Sequence, residues 1–249
     1  MRVSTGDVTV SVVIPCLNEE DAIGPLVNEL AAEGFDEILV VDNGSTDETA
    51  SRARAAGATV VAEPAAGYGR ACARGLASVR ADCDIICFLD GDGSDIPRFL
   101  TKVTALIAAN EVDFAMGSRV LGKRERGSMT AQQVVAGYIA GALLRAVYGS
   151  RFTDMSPMRA MRLERLRNLG MTEMTYGWNL EMQMRVAAAG LRIIEIPVDH
   201  RCRQGGVSKV SGNFSAGLQA AWKITTTFFR LWRTLRPATS TARSLEVQS

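Results

Sequence analysis

Two aspartates separated by one residue follow a short apolar segment, and they are the residues of this sequence best suited to chemistry. Asp90 and Asp92 lie in the stretch FLDGDGS, residues 88–94, and each is followed by glycine. Glycine permits tight turns, so both carboxylates can face one ligand. Such oxygen ligands suit Mg²⁺ or Mn²⁺, which keep open positions for phosphate oxygens. We therefore predict that both bind a metal ion that bridges a diphosphate, and that Asp92 is required for turnover.

The apolar pattern around these aspartates predicts an alternation of strands and helices. We predict strands at 10–14, 37–41, 59–62 and 84–89, and helices at 19–32, from a capping box at 45–48, and at 68–79. Short links between such elements indicate a parallel sheet covered by helices on both faces. Polar clusters follow the first, second and fourth strands, where parallel sheets bind ligands. This convergence favours a binding site over a solvated acidic turn.

The second half of the chain is less regular. We predict strands at 112–117 and 191–198, helices at 130–148, 159–169, 181–189 and 215–236, a basic glycine-rich loop at 200–213, and a disordered tail at 237–249. We expect one catalytic domain over 1–212, with a nucleotide-binding half at about 8–120 and an acceptor half at about 121–212. An amphipathic helix over 213–236 follows this domain.

Composition excludes several classes of protein. The chain of 249 residues has 28 basic and 27 acidic side chains, so its net charge does not indicate a nucleic-acid binder. Its five cysteines include no CxxC pair, which argues against a disulfide scaffold and for a reducing compartment. No apolar segment is long enough to span a bilayer. We expect a cytoplasmic protein that is soluble or peripheral on the inner face of the cell membrane. The sequence leaves open whether the protein forms a homo-oligomer.

The stretch GYGRAC at 67–72 differs from the dinucleotide-binding fingerprint, because Cys72 stands at the third glycine position. We interpret it as a loop whose backbone at Gly69 approaches the nucleotide or its phosphates, with Arg70 adding positive charge. A simple helix start is the alternative. The loop at 200–209 carries several cations and two adjacent glycines, a composition typical of phosphate binding.

Four motifs within residues 10–120 resemble those of family 2 glycosyltransferases in order and spacing. They are VIPCLNE at 13–19, VVDNGSTD at 40–47, FLDGDG at 88–93 and GSR at 117–119. Two later stretches, YGWNLEM at 176–182 and RQGGVSKVS at 203–211, are similar to the branch that makes dolichyl- or polyprenyl-phosphate sugars. The resemblance implies an α/β, Rossmann-like nucleotide-diphospho-sugar transferase fold of glycosyltransferase A type, with a mostly parallel central sheet. It also implies inverting transfer of a hexose.

The resemblance implies roles for particular residues toward a nucleotide-diphosphate sugar, such as a UDP- or GDP-hexose. Pro15, Leu17 and Glu19 would line the base and ribose, Asp42 would hold either of them, Asp90 and Asp92 would bind metal and diphosphate, and Arg119, Arg203, Ser208 and Lys209 would hold phosphates. Asn43 stands where the family usually has a second acid, which leaves the donor base open. Ser-Pro-Met at 156–158 replaces a more usual glycine–aromatic step, which leaves the acceptor open.

The acceptor decides whether a general base is needed. A polyprenyl phosphate, the acceptor we expect, is already anionic, whereas a soluble hydroxyl acceptor must lose a proton to a carboxylate. Glu181, Asp154 and Asp199 are the candidates for that role. A nucleotidyltransferase and a silent binding module are further alternatives. The last predicted helix carries Trp222, Phe229 and Trp232 beside basic residues, which fits a lipid interface or packing on a core or subunit equally well.

Overall fold

The structure is a computed structural model that describes residues 8–205 and 214–235. Its elements, in chain order, are β1 (Val10–Cys16), α1 (Glu20–Glu33), β2 (Glu37–Asp42), α2 (Thr49–Ala55), β3 (Thr59–Ala62), α3 (Tyr68–Ser78), β4 (Ile85–Phe88), α4 (Pro97–Ala108), β5 (Phe114–Ser118), α5 (Ala131–Tyr148), β6 (Arg159–Arg162), α6 (Leu163–Leu169), α7 (Trp178–Ala188), β7 (Ile193–Pro197) and α8 (Phe214–Thr234). Strands and helices alternate throughout the first half, as predicted.

The strands form one seven-stranded sheet in the order β3-β2-β1-β4-β6-β5-β7. β1 pairs in parallel with β2 and β4, β2 with β3, and β5 with β7. β6 is the exception, because it pairs antiparallel with both β4 and β5. The sheet is therefore mostly parallel, and the carboxyl ends of β1, β2 and β4 meet at one edge.

Helices cover both faces of the sheet. Adjacent residues of β1 alternate between two apolar layers: Val13 packs into one, and Val12 and Ile14 pack into the other. The first layer includes residues of α3, α5, α7 and α8, and the second includes residues of α1 and α4. Burial on both faces explains why the central strands are continuous apolar runs without polar alternation.

Two predicted local features are wrong. Residues 159–169 are not one helix, because Arg159–Arg162 form the antiparallel strand β6 and only Leu163–Leu169 are helical. The capping box predicted at 45–48 does not form, since α2 begins at Thr49 with no side-chain cap at Glu48. Asp47 instead accepts hydrogen bonds from the backbone and hydroxyl of Thr49. A capping box does form at Thr130 and Gln133, at the start of α5.

The last helix has two apolar faces. Phe228 and Leu231 are 3% exposed and belong to the core, whereas Trp222, Phe229 and Trp232 face outward. The predicted helix therefore packs on the core with one side and exposes its aromatic residues on the other. Among the helices of residues 8–205 and 214–235, none combines the length and apolar character that crossing a bilayer requires.

Candidate active site

A cavity of about 420 Å³ opens at the sheet edge where β1, β2 and β4 end. Seven of the residues predicted for the site line it: Pro15, Leu17, Glu19, Asn43, Asp90, Asp92 and Arg203. Residues for which the sequence predicted no role complete the wall, among them Tyr68, Gln133, Thr175 and Tyr176. The cavity thus lies where ligands bind in open α/β sheets.

The turn that carries the two aspartates depends on its glycines. A side chain at Gly91 would collide with Cys16 Sγ at the end of β1, so only glycine lets the turn lie this close to the neighbouring strand. Gly93 has a φ of 71°, in the left-handed region that glycine adopts without strain. The chain therefore turns sharply after β4 and keeps Asp90 and Asp92 on the wall of the cavity.

The two carboxylates have different surroundings. The hydroxyl of Tyr68 donates to Asp90 Oδ1 at 3.0 Å, and burial together with the nearby charge of Asp92 raises the pKa of Asp90 to about 7. Asp92 Oδ1 accepts hydrogen bonds from the backbone and hydroxyl of Ser94 at 2.9 and 2.6 Å. Each carboxylate has a second oxygen that can take a cation, and a cation there would offset the repulsion between them.

These residues fit a divalent cation of the Mg²⁺ type. Such a cation takes one or two carboxylates from the protein and completes its shell with water and substrate phosphate. Within residues 8–205 and 214–235, no group of three or more histidine, cysteine or acidic side chains converges into a closed metal cage. Two carboxylates on the cavity wall suit a metal whose remaining ligands are water and substrate phosphate.

A buried polar pair lies beside the aspartate turn. Both carboxylate oxygens of Asp95 and Nδ1 of His200 lack hydrogen-bond partners, and His200 Nε2 is 3.9 Å from Asp95 Oδ1. Burial raises the pKa of Asp95 to about 8 and lowers that of His200 to about 4, so it disfavours the charged form of each group. No role for either residue was predicted from the sequence. No local pattern signals that residues so far apart in the sequence meet.

Both ends of the Asn43 side-chain amide form hydrogen bonds within the protein. Its amide nitrogen donates to the carbonyl oxygens of Glu63 and Ala65, both at 2.8 Å, and its Oδ1 accepts from the backbone of Gly67 at 2.9 Å. An aspartate could not donate to either carbonyl. The departure from the usual acid therefore has a physical cause, since Asn43 holds the loop at 63–67 against the end of β2.

Arg203 forms a salt bridge across the cavity. Its Nη2 donates to both oxygens of Glu19 at 2.8 and 3.0 Å and lies 3.8 Å from Asp92 Oδ2. The loop that carries Arg203 is fixed to the aspartate turn by a hydrogen bond from the Gln204 backbone to the carbonyl oxygen of Asp92. Ser208 and Lys209, predicted to hold phosphates with Arg203, lie outside the described residues.

Arg119 and Asp154 bind each other instead of facing the cavity. The guanidinium of Arg119, only 13% exposed, donates two hydrogen bonds of 2.8 Å to the carboxylate of Asp154. Burial alone would raise the pKa of Asp154, but the charge and hydrogen bonds of Arg119 hold it below the usual value. Glu195 accepts from the backbone of Thr153 and Asp154 and positions this pair. Asp154 is thus engaged and poorly placed to act as a general base.

Glu181 is also engaged by the protein. It is fully buried and accepts hydrogen bonds from the backbone of Thr172 and Glu173 and from the guanidinium of Arg185. It lies in the first turn of α7 and fixes the segment before that helix. The structure therefore does not support Glu181 as a general base. Asp199 is bound to Arg98 and to the backbone of Lys123, outside the cavity.

Gly69, Arg70 and Asp42 do not line the cavity. A side chain at Gly69 would collide with the backbone carbonyl of Glu173, so this glycine allows α3 to pack closely against residues 173–175. Arg70 is exposed, and α3 begins at Tyr68, in agreement with the alternative of a simple helix start. Asp42 Oδ1 accepts from the backbone of Ser45 and shapes the turn after β2.

The mostly parallel sheet, with a cavity at the carboxyl ends of its strands, matches a Rossmann-like fold of glycosyltransferase A type, and comparisons with known proteins agree. The sequence pattern of the family described as Glycosyl transferase family 2 matches residues 11–170. The chain therefore belongs to glycosyltransferase family 2, and it is an enzyme of that class. An uncharacterized glycosyltransferase of Mycobacterium tuberculosis is 37% identical over 224 residues, which cover 86% of this chain and 97% of that protein.

Two further comparisons involve glucosyl-3-phosphoglycerate synthases. The enzyme of Mycolicibacterium smegmatis is 45% identical over 107 residues, which cover 38% of this chain and 35% of that protein. The crystal structure of the Mycobacterium tuberculosis enzyme with Mn²⁺, UDP and glucosyl-3-phosphoglycerate has a TM-score of 0.74, with 96% of this chain and 84% of that chain covered. At 22% identity, this likeness establishes the fold.

Proposed function

We propose that this glycosyltransferase moves a hexose from a UDP-sugar to a hydroxyl group of a soluble acceptor, with Mn²⁺ or Mg²⁺ held by Asp90 and Asp92. The observation that carries the proposal is the position of both carboxylates on the wall of a cavity at the ligand edge of the sheet. The structures of glucosyl-3-phosphoglycerate synthase in complex with UDP and Mn²⁺ or Mg²⁺ support the choice of donor and metal.

Different residues of the cavity would bind different parts of the donor. Pro15 and Leu17 offer an apolar wall for the base, and Arg203 offers a forked donor for phosphate oxygens. A divalent cation, when bound, would supply positive charge to the departing diphosphate. Arg203 would exchange part of its salt bridge with Glu19 for the donor's phosphates, which keeps its charge balanced in both states.

A hydroxyl acceptor requires a group that takes its proton. Asp154 and Glu181 are engaged elsewhere, and the carboxylates that line the described part of the cavity are Glu19, which Arg203 holds, and Asp90 and Asp92, which would hold the metal. Proton transfer is then confined to one of these three carboxylates or to an anionic group of the acceptor itself. Polyprenyl phosphate was the acceptor expected from the sequence; the relatives whose names include phosphoglycerate support the hydroxyl alternative better.

The test is release of UDP from UDP-glucose by the purified protein with Mn²⁺, across hydroxy acids such as 3-phosphoglycerate and across polyprenyl phosphate in detergent. We expect turnover with a soluble acceptor, lost on chelation and in Asp92→Asn. Glycosylation of polyprenyl phosphate alone would refute the acceptor assignment. Release of pyrophosphate instead of UDP would refute the reaction class, and metal-dependent binding without turnover on any acceptor would favour a binding module.

A further inference from the structure

Most of the large apolar side chains that the described residues expose lie on two helices. Seven such side chains, between 36% and 70% exposed, are Val135, Tyr138, Ile139 and Leu143 on α5 and Trp222, Phe229 and Trp232 on α8. We call these seven the α5–α8 surface. Large exposed apolar patches on soluble domains mark interaction sites.

On α5 most of the exposed residues are apolar. Residues three and four apart lie on the same side of a helix, and seven exposed positions, 131, 135, 138, 139, 142, 143 and 146, are apolar, while Gln132 and Arg145 are the exposed polar residues of this helix. The opposite side packs into the protein through Gly137, Ala140, Gly141 and Leu144. At 1.5 Å per residue the helix is about 27 Å long, so the apolar face extends well beyond a single contact.

On α8 the outward side is aromatic. Trp222 is 70% exposed. The rings of Phe229 and Trp232 pack edge to face, with 6.2 Å between their centroids. These rings contribute little to the core, which takes Phe228 and Leu231 from the other side of the helix. Tryptophan and phenylalanine on the outer side of an amphipathic helix are typical of segments that lie in a lipid interface.

The two helices are neighbours. Both pack against α7, and at their C-terminal ends the hydroxyl of Tyr148 donates to the carbonyl oxygen of Leu235 at 3.4 Å. Leu144 of α5 and Leu231 of α8 belong to the same apolar cluster. The exposed faces therefore lie on two helices that share α7 as a packing partner.

The charge of these helices distinguishes between possible partners. Residues 131–148 and 214–234 contain no aspartate or glutamate but four basic residues, whereas the whole chain has 28 basic and 27 acidic ones. Arg145 and Arg233 are exposed. If two copies met through these helices, basic residues would approach one another without an acid on either helix to pair with. Anionic lipid headgroups complement both the charge and the apolar character.

We propose that the α5–α8 surface docks this enzyme onto a membrane that contains anionic lipids. The aromatic and aliphatic side chains enter the boundary between headgroups and acyl chains, while Arg145 and Arg233 contact headgroup phosphates. The helices lie on the bilayer and do not cross it. The proposal concerns the location of the enzyme and is independent of its acceptor.

The experiment is flotation of the full-length protein with vesicles of phosphatidylcholine alone or with about a third phosphatidylglycerol. We expect binding to the anionic vesicles that falls about tenfold in Ile139→Glu and in Trp222→Glu. Arg233→Gln should lose about fivefold on anionic vesicles. Leu121→Glu is the matched control: Leu121 is 53% exposed, lies on neither helix and should bind as the wild type does.

Circular dichroism of each variant shows whether it folds, and UDP release with a soluble acceptor should be unchanged in Trp222→Glu. Equal vesicle binding by Ile139→Glu, Trp222→Glu and wild type would overturn the proposal. Absence of wild-type binding, together with a dimer in light scattering that Ile139→Glu separates, would assign the surface to a second copy of the chain. Neither outcome depends on which acceptor the enzyme uses.

Discussion

Replacing the side-chain NH₂ group of Asn43 by the second oxygen of an aspartate should destabilise the protein. The carbonyl oxygens of Glu63 and Ala65 would each lose a 2.8 Å hydrogen bond and face a carboxylate oxygen instead. An unsatisfied buried group costs about 1–3 kcal/mol. Because Ala65 is exposed and water can reach its carbonyl oxygen, the total loss should stay at about 1–3 kcal/mol. For a chain of this size, that loss lowers Tm by roughly 2–12 °C.

The assay for Asn43→Asp is thermal unfolding between pH 5 and pH 8. Burial should raise the pKa of the introduced carboxyl group, and its protonated form regains one donor. The stabilisation by the protonated form is lost as pH rises through that pKa, so the Tm difference between Asn43→Asp and wild type should be larger at pH 8 than at pH 5. Asn110→Asp is the matched control, because Asn110 Oδ1 is exposed and accepts from Arg192, which a carboxylate also does. Equal Tm values for Asn43→Asp and wild type would refute the assigned hydrogen bonds.

Three further substitutions test separate parts of the structure. The pKa of Asp90 is raised to about 7, so its ionised form increasingly destabilises the folded protein as pH rises from about 4 to 7. Without metal, the Tm of Asp90→Asn should therefore exceed that of the wild type at pH 8 but not at pH 4. Addition of Mn²⁺ should raise the Tm of the wild type only. Asp154→Asn leaves buried Arg119 without its ion pair and should lower the free energy of unfolding at pH 7 by about 3–5 kcal/mol, measured by chemical denaturation. The difference from the wild type should be smaller in acid, because the lowered pKa of Asp154 means that its stabilising charge is lost only there. An unchanged unfolding midpoint would contradict the ion pair. Gly69→Ala should lower Tm by roughly 2–12 °C, since overpacking costs about 1–3 kcal/mol, and a wild-type melting curve would show that α3 does not pack closely on residues 173–175.

The regular half of the fold follows from local pattern, whereas the irregular half does not. β1 to β4 are short apolar runs between turn residues, and periodicity is enough to find them. β6 could not be found in this way, because Arg159–Arg162 contains two arginines and one of them, Arg159, is fully buried. Its guanidinium donates to the carbonyl oxygens of Ser156 and Asn179, partners that only the assembled fold supplies.

The site shows the same division. Motifs at the ends of β1, β2 and β4 placed Pro15, Asn43 and Asp92 at one edge, because that edge follows from the parallel topology. The roles of Glu181 and Asp154 could not be judged from sequence, since most of the groups that hold them come from other segments: Glu173 lies 8 residues from Glu181, and Arg119 lies 35 residues from Asp154. Arg185, four residues after Glu181, is the exception. Whether a carboxylate near a motif can serve as a base therefore depends on the cations and backbone amides that hold it in the assembled fold.

The central claim is that Asp90 and Asp92 hold a divalent cation together with the donor's diphosphate. Its most direct test is calorimetric titration of UDP-glucose into wild-type protein and Asp92→Asn, each with Mn²⁺ and with a chelator. We predict tight binding by the wild type with Mn²⁺ alone, and weak binding in the other three titrations. The same affinity with and without Mn²⁺, or in the wild type and the variant, would contradict the claim.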